Sequence, residues 1–541
     1  MNALLIRDAV PWSGGRTLRG DAIAIRDGRV AAIGPLGEVR EAVPAGTREL
    51  DARGGLVTPG FVDSHVHLGV VATDSLHCDL AGASDLDEIS RRIRDFAGRS
   101  RSAWILGGGW DRALFPPDGP TARMLDGLVP DRPALFHDAD HHSGWVNSRA
   151  LELAGIDAST PDPADGRIAR LPDGSPSGFL AEGALQLMAR VLPEPDTGEL
   201  ANAIATASRL LLAAGVTGWQ EAALGAFGGF PDFSEAYLRA IAAGDLRGRP
   251  TGAVWVPRDI APAEIDGFVA HCLERARLNG AGGFPTTTAK LLLDGVVETR
   301  TASMLEPYEG HPEERGLSYF SPEQIRLVVS ALNAAGIPVH VHAIGDRAVR
   351  DALDGFDAVP AADRARVRNH IAHLEVIEAA DVPRFAQLGV TANLQPFWAC
   401  ETPLTASTTL PLLGAGRASR LFVFRSLHTS GAALAMGSDW PVSTYEPWLG
   451  IHIAVNRRFP GDTTTAPLGP DEALPLATAL DAYTRGSATL LGIPGDGVLQ
   501  VGAPADLAIA NRDPFAAAPE DIHLTRTVAT ILDGEVVAES A

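Results

Sequence analysis

Residues 55–68 read GLVTPGFVDSHVHL. An apolar run meets the turn signal Pro59-Gly60, resumes at Phe61-Val62 and ends in His65-Val66-His67. Positions i and i+2 of a strand share a face, so both imidazoles point the same way at the strand's end. That spacing lets two rings reach one ion, and imidazole is a common ligand of zinc, iron or nickel. An isolated His-x-His has little weight and reads as two ordinary polar residues. Its place at the end of an apolar strand shifts the reading to a ligand pair.

Working outward, seven more segments have the same form: GVTGWQEA (215–222), TGAVWV (251–256), TAKLLLDG (288–295), IPVHVHAIGD (337–346), RNHIAHLEV (368–376), VTANLQPF (390–397) and ALAMGSDWPV (433–442). Amphipathic runs such as ELANAIATASRLLLAAG (199–215) and SPEQIRLVVSALNAAG (321–336) separate most of them, the second opening on a Ser-Pro-Glu helix start. Eight short strands alternating with helices predict an α/β fold, a parallel (β/α)8 TIM-like barrel, with a doubly wound sheet as the alternative. The interval of about 72–197 breaks this rhythm with Gly-Gly-Gly-Trp, Pro-Pro-Asp-Gly and Pro-Asp-Gly clusters. It reads as a loop-rich subdomain inserted after the first barrel strand.

The chain ends share another pattern. DAIAIRDGRVAAIG alternates around Asp27-Gly28, and TVATILDGEVVAE does so around Asp533-Gly534. Each set of strands could bury only one face alone, so the two are expected to form one small β-sandwich. The expected division is sandwich over 1–57, barrel with insert over 58–492 and sandwich again over 493–541.

Composition narrows the class. A chain of 541 residues supports a few domains or one large one, and a net charge of −22 argues against nucleic acid or an anionic membrane as partner. The cysteines Cys78, Cys272 and Cys400 lie far apart without a CxxC, so neither a disulfide framework nor a zinc knot is expected. The N-terminal segment MNALLIRDAV meets Arg7 and Asp8 before a leader-length apolar run develops, and no stretch approaches membrane-span length. A cytoplasmic homodimer acting on a small molecule is the expectation.

Barrel active sites gather at the C-terminal ends of the strands. Those ends carry His65, His67, Lys290, His342, His373 and Asp439. His340 repeats the His-x-His spacing with His342, but His342 lies nearer the strand end, and His340 reads as a satisfied core histidine. His373 is preferred to His370 on the same ground, with His370 supporting or structural. Asp439 in MGSDWP could be a turn or cap aspartate; facing a metal cluster, it would be ligand and proton shuttle. Lys290 is the single lysine in a chain whose Lys and Arg total 45. A buried lysine amine can lose its proton and an arginine cannot. A neutral amine can add carbon dioxide and become a carbamate able to bridge two ions; the competing role is a Schiff-base nucleophile.

Together these residues resemble a family. PGFVDSHVHL, the isolated lysine strand, HAIGD, IAHLEV and GSDWPV look like the amidohydrolase superfamily of metal-dependent hydrolases. GGGWDR, HHSGWVNSRAL and PDGSPSGFLAEGAL in the insert are similar to its YtcJ-like branch, amidohydrolase family 3, which includes N-substituted formamide deformylases. The resemblance implies a two-metal site, probed first as zinc, although some members keep one ion. His65, His67 and Asp439 would hold one ion and His342 and His373 the other, bridged by carboxylated Lys290 and a hydroxide. Asp439 and Lys290 are thereby the expected catalytic residues. The implied reaction is hydrolysis of a non-peptide C–N bond, an amide or N-substituted formamide, by an activated hydroxide. Expected substrate contacts are Trp110, Asp111, His142, Trp145 and Asn147 from the insert, Arg300 and Thr301 after the lysine strand, and Trp398. For each tryptophan, packing between insert and barrel is the competing role.

Other classes are disfavoured. No GxSxG elbow, P-loop, HExxH helix or GxGxxG is present. A deaminase, lactonase or isomerase at the same ions stays open, as does a binding protein on the same fold, although the latter would be expected to lack some of the six ligand candidates.

Overall fold

The computed structural model describes residues 3–116, 118–495 and 497–540. At its centre eight strands follow one another in chain order: Phe61–Val66, Val216–Leu224, Arg249–Trp255, Thr288–Leu292, Val339–Ala343, His370–His373, Thr391–Leu394 and Leu434–Met436. Each runs parallel to the next. The first and last meet through loop hydrogen bonds: Asp439 N–H donates to the His65 carbonyl at 2.7 Å, and His67 N–H to the Trp440 carbonyl at 2.9 Å. All eight segments singled out by pattern are the barrel strands. Most are buried along their whole length, because helices cover one face and the barrel interior the other.

The crossover helices carry local start signals. Asp196 caps Thr197–Ala213 by accepting from Glu199 N–H at 2.8 Å. Ser321 and Gln324 form a reciprocal capping box ahead of Pro322–Ala334, with Pro322 at the first helical position. Parallel neighbours need such crossovers, and each one here leads to the adjacent position, so strand order follows chain order.

The chain ends build a second sheet. Ala3–Ser13 pairs in parallel with Arg48–Pro59, which pairs antiparallel with Leu507–Ala510. Thr527–Leu532 and Glu535–Glu539 extend that edge. The two ends are therefore joined by backbone hydrogen bonds as well as by facing side chains, around an apolar cluster that includes Leu4, Ile6, Val57, Leu507, Ile509 and Ile531. Gly60 is the corner from this sheet into the barrel wall. A Cβ there would lie 2.2 Å from Thr217 Oγ1, so the approach requires glycine.

A third sheet fills the interval between the first two barrel strands. Its order is Gly166–Arg170, Pro176–Glu182, Ser143–Val146, Ala134–Asp138, Ile105–Trp110, Cys78–Asp79. Apolar clusters centred on Ile89, Trp110 and Phe136, and on Leu135, Val146 and Leu180, give the insert its own core. All three cysteines are buried and unpaired. Among the described residues, no helix is long and apolar enough to cross a membrane.

Candidate metal centre

The six residues at the strand ends converge. His65, Lys290, His342, His373 and Asp439 are each no more than 4 % exposed. His65 Nε2, His67 Nε2 and Asp439 Oδ1 form a triangle with edges of 3.3, 3.2 and 3.4 Å. Zinc bonds of about 2.0–2.1 Å at tetrahedral angles put neighbouring donor atoms about 3.3–3.4 Å apart. The triangle therefore has the dimensions of three ligands to one small ion. On its flank, His373 Nδ1 lies 3.8 Å from Asp439 Oδ2, and the His342 and His373 rings are 4.3 Å apart. His342 Nε2 and His373 Nδ1 are buried without a hydrogen-bond partner, an arrangement that is costly unless something accepts their lone pairs. Ligand atoms of His65, His373 and Asp439 all lie within 4.8 Å of one another. This donor set fits a divalent ion.

Electrostatics agree with that fit. Burial pushes His65, His67, His342 and His373 well below the ordinary histidine value, leaving neutral rings with lone pairs to give. Burial also lowers the Lys290 amine to about 7 and raises Asp439. A free amine is thus accessible near neutral pH at the single lysine.

Backbone clamps fix these groups in register. Asp63 Oδ1 accepts from His65 N–H at 3.1 Å and from Ser438 N–H at 2.9 Å, tying the first strand to the Asp439 loop. Asp294, four residues beyond the lysine, accepts from Ser303, Ile344 and Gly345 N–H at 2.8–3.1 Å. That joins the loops after the fourth and fifth strands and sets His342, whose Nε2 is 3.6 Å from Asp294 Oδ1. Both His373 (φ 75°) and Asp439 (φ 58°) have left-handed backbone, which turns their side chains out of the strand direction and into the mouth.

The centre opens into a cavity of about 700 Å³ lined by His67, Lys290, His342, His373 and Asp439 together with Phe227, Trp255, Trp398 and His142. Trp398 stacks on His373 with ring centroids 5.3 Å apart and planes 7° apart, and Phe227 stacks on Trp255 at 5.3 Å. His142 reaches the cavity from the insert, its ring 5.7 Å from that of His342. His142 Nδ1 lies 2.8 Å from Glu182 Oε1, which also accepts from Thr301 Oγ1 at 3.1 Å. Burial opposes charge on His142, but Glu182, Asp140 and Asp138 overcome it and raise its value to about 9.

Several expected substrate contacts lie elsewhere. Trp110 and Trp145 are buried in the insert and donate Nε1–H to the Phe136 and Thr121 carbonyls at 2.9 and 2.8 Å. Asn147 uses its whole amide internally. Its Oδ1 accepts from Ala134 and Ala150 N–H, and its Nδ2 donates to the Val129 and Arg132 carbonyls. Asp111 is exposed and caps the short turn Arg112–Leu114. Arg300 pairs with Glu314 at 2.5 Å, and Thr301 hydrogen-bonds to the lining residues Glu182 and Val296 without lining the cavity itself. None of these six lines the cavity, whereas His142 and Trp398 do. An indole N–H or a carboxamide buried in a sheet must find partners there, and these did so within their own subdomain.

Sequence reading passed over Glu182, Arg258, Phe227 and Trp255. Glu182 stands inside PDGSPSGFLAEGAL and could have been found there, because a buried carboxylate at the end of an apolar strand is unusual. Arg258, over the Tyr319 ring at 3.8 Å and paired with Asp165 at 2.9 Å, carried no local signal.

Comparison with known proteins agrees with this architecture. A family model described as Amidohydrolase family matches residues 48–538. The chain is 29 % identical over 528 residues to YtcJ of Bacillus subtilis (strain 168), covering 97 % of each chain. It is 28 % identical over 531 residues to the N-substituted formamide deformylase of Arthrobacter pascens, covering 95 % of this chain and 94 % of that one. An uncharacterized metal-dependent hydrolase from Pyrococcus horikoshii OT3 shares the fold with a TM-score of 0.73 at 24 % identity, over 96 % of this chain and 99 % of that one.

Proposed function

The chain belongs to the amidohydrolase family, and from that premise we propose that it cleaves a non-peptide carbon–nitrogen bond in a small amide or N-substituted formamide. In this reading it acts as a metal-dependent hydrolase, with the family match and the buried donor cluster as support. The observation that carries the reading is the donor triangle of His65, His67 and Asp439, open to a cavity whose volume suits a small molecule.

In this reading His65, His67 and Asp439 would hold one divalent ion, zinc first among the candidates, and His342 and His373 would hold a second, with Lys290 as its carbamate supplying the shared anionic ligand. Carbamate formation joins the amine nitrogen to carbon dioxide and releases one proton, and the lowered value of the Lys290 amine favours the reactive free base. Bound divalent ions lower the pKa of a coordinated water and polarise a carbonyl oxygen. The chain does the rest. Asp439 Oδ1 closes the donor triangle, which leaves Oδ2 to take a proton from the attacking water and pass it to the leaving amine nitrogen. His142, held through Nδ1 by Glu182, presents its other nitrogen to the substrate. Phe227, Trp255 and Trp398 exclude water and favour apolar substituents.

The experiment is a panel of N-formyl and N-acyl amines, lactones and amino-heterocycles, run with zinc-supplied protein. Release of a free amine with formate or another carboxylate supports the proposal. Ammonia release from the heterocycles alone, or lactone opening alone, would replace it with one of the other superfamily reactions.

A further inference from the structure

Behind His65 runs a file of buried polar groups that the metal reading leaves unused. Gln220 Nε2 donates to Thr288 Oγ1 at 3.3 Å, and Gln220 Oε1 meets His340 Nδ1 at 2.8 Å. His340 Nε2 lies 3.1 Å from His65 Nδ1. Exposure is 1 % for Gln220 and 0 % for both histidines, so these groups are out of reach of bulk water. The residues come from the second, fourth, fifth and first barrel strands, and the file crosses the barrel interior beneath the metal donors.

Its direction is set by the way the Gln220 amide lies, because the Thr288 hydroxyl can pair with either end of that amide. A neutral imidazole has one N–H and one lone pair, and a carboxamide oxygen only accepts. With Gln220 Nε2 turned to Thr288, the oxygen faces His340, so His340 Nδ1 carries the hydrogen. His340 Nε2 is then an acceptor, and His65 Nδ1 must donate to it. That leaves the lone pair of His65 on Nε2, the atom in the triangle with His67 and Asp439. The opposite direction would point an N–H at the ion's position.

We infer that Gln220 and His340 are positioning residues that fix the His65 tautomer and so preset its Nε2 as a metal donor. The inference rests on the reading above in one respect, that His65 is a ligand. It gives His340 a specific task beyond that of a satisfied core histidine. Lys290 Nζ approaches the same His340 nitrogen at 3.4 Å, so this ring borders both the triangle and the bridging position. Partners of this kind orient a ligating imidazole and raise its basicity, and removing one typically weakens metal binding by about 10–100-fold.

Three proteins test it: the native chain, Gln220→Leu, which removes the acceptor, and Gln220→Glu, which restores one. Zinc affinity is measured by competition with a chelator of known strength, and the melting temperature of metal-free protein checks folding. Gln220→Leu is expected to lose about 10–100-fold in zinc affinity with its metal-free melting unchanged, and Gln220→Glu to recover most of that loss. Unchanged affinity in a folded Gln220→Leu would overturn the inference. Nitrogen-15 spectra of histidine-labelled native protein without metal give a second readout that needs no variant. Hydrogen on Nδ1 of both His340 and His65 supports the relay, and hydrogen on Nε2 of either refutes it. A native chain that binds no zinc would defeat the metal reading, while the spectra would still decide the tautomers.

Discussion

At the scale of single residues, Lys290 separates a bridging role from a charge role. It is 1 % exposed beside the donor cluster, and burial brings its amine to about 7. Lys290→Arg keeps a cation that cannot be discharged or carboxylated. Two like unit charges ~4 Å apart oppose each other by roughly 4 kcal/mol at an effective dielectric near 20. The variant is therefore expected to lose bound metal and nearly all activity, as read by elemental analysis and turnover; near-native turnover would remove the carbamate from the scheme. His142 supplies a prediction about stability. Its value in the fold, about 9, lies above the ordinary 6.5 because it gains Glu182. A raised histidine contributes stability that is complete below the unfolded value and fades as pH rises through the folded one. Native protein should therefore exceed His142→Gln in melting temperature most at about pH 6, with the gap gone near pH 10. A gap that does not change with pH would show that the His142–Glu182 pair is not the source.

Elements decide what each insert residue can do. Trp110 and Trp145 alternate inward in their strands and pack with Phe115, Phe136 and Phe179 as the insert's own core. Trp110→Ala is expected to destabilise by about 3–5 kcal/mol, as a large buried aromatic does. Metal content and the rank order of amides cleaved should not change. The check pairs urea denaturation with relative kcat/KM across the substrate panel. A reordered preference at native stability would restore a substrate-contacting role for this tryptophan.

For the whole molecule, the sheet built from both ends bears on barrel integrity. Thr530 Oγ1 donates to the Leu212 carbonyl at 2.6 Å and Thr527 Oγ1 to that of Ala214 at 2.8 Å, binding the strand Thr527–Leu532 to the end of a barrel helix. Arg249 at the start of the third barrel strand pairs with both Asp506 and Asp533 at 2.6 Å. Deleting residues 507–541 would open the edge of Arg48–Pro59 and uncover Val57, which is 0 % exposed. Open strand edges associate. The truncated chain should be recovered mainly as aggregate by size exclusion; a monodisperse, zinc-binding product would show that the barrel stands without this sheet.

Sequence alone determined what depends on neighbouring residues. Alternation and strand-end position marked all eight barrel strands, and Asp27-Gly28 and Asp533-Gly534 have the positive φ that such turns need. His65 and His67 share a face because of strand geometry, and the solitary lysine stood out against the arginines without any coordinates. Only the tertiary structure decided which polar groups meet across the barrel. His65 and His340 are 275 positions apart, His340 and Gln220 120, and Glu182 and Thr301 119. No local pattern encodes those contacts, because they follow from how one strand's register falls against another's. The same holds for the insert, where Trp110, Trp145 and Asn147 found hydrogen-bond partners inside their own subdomain and His142 was left facing His342.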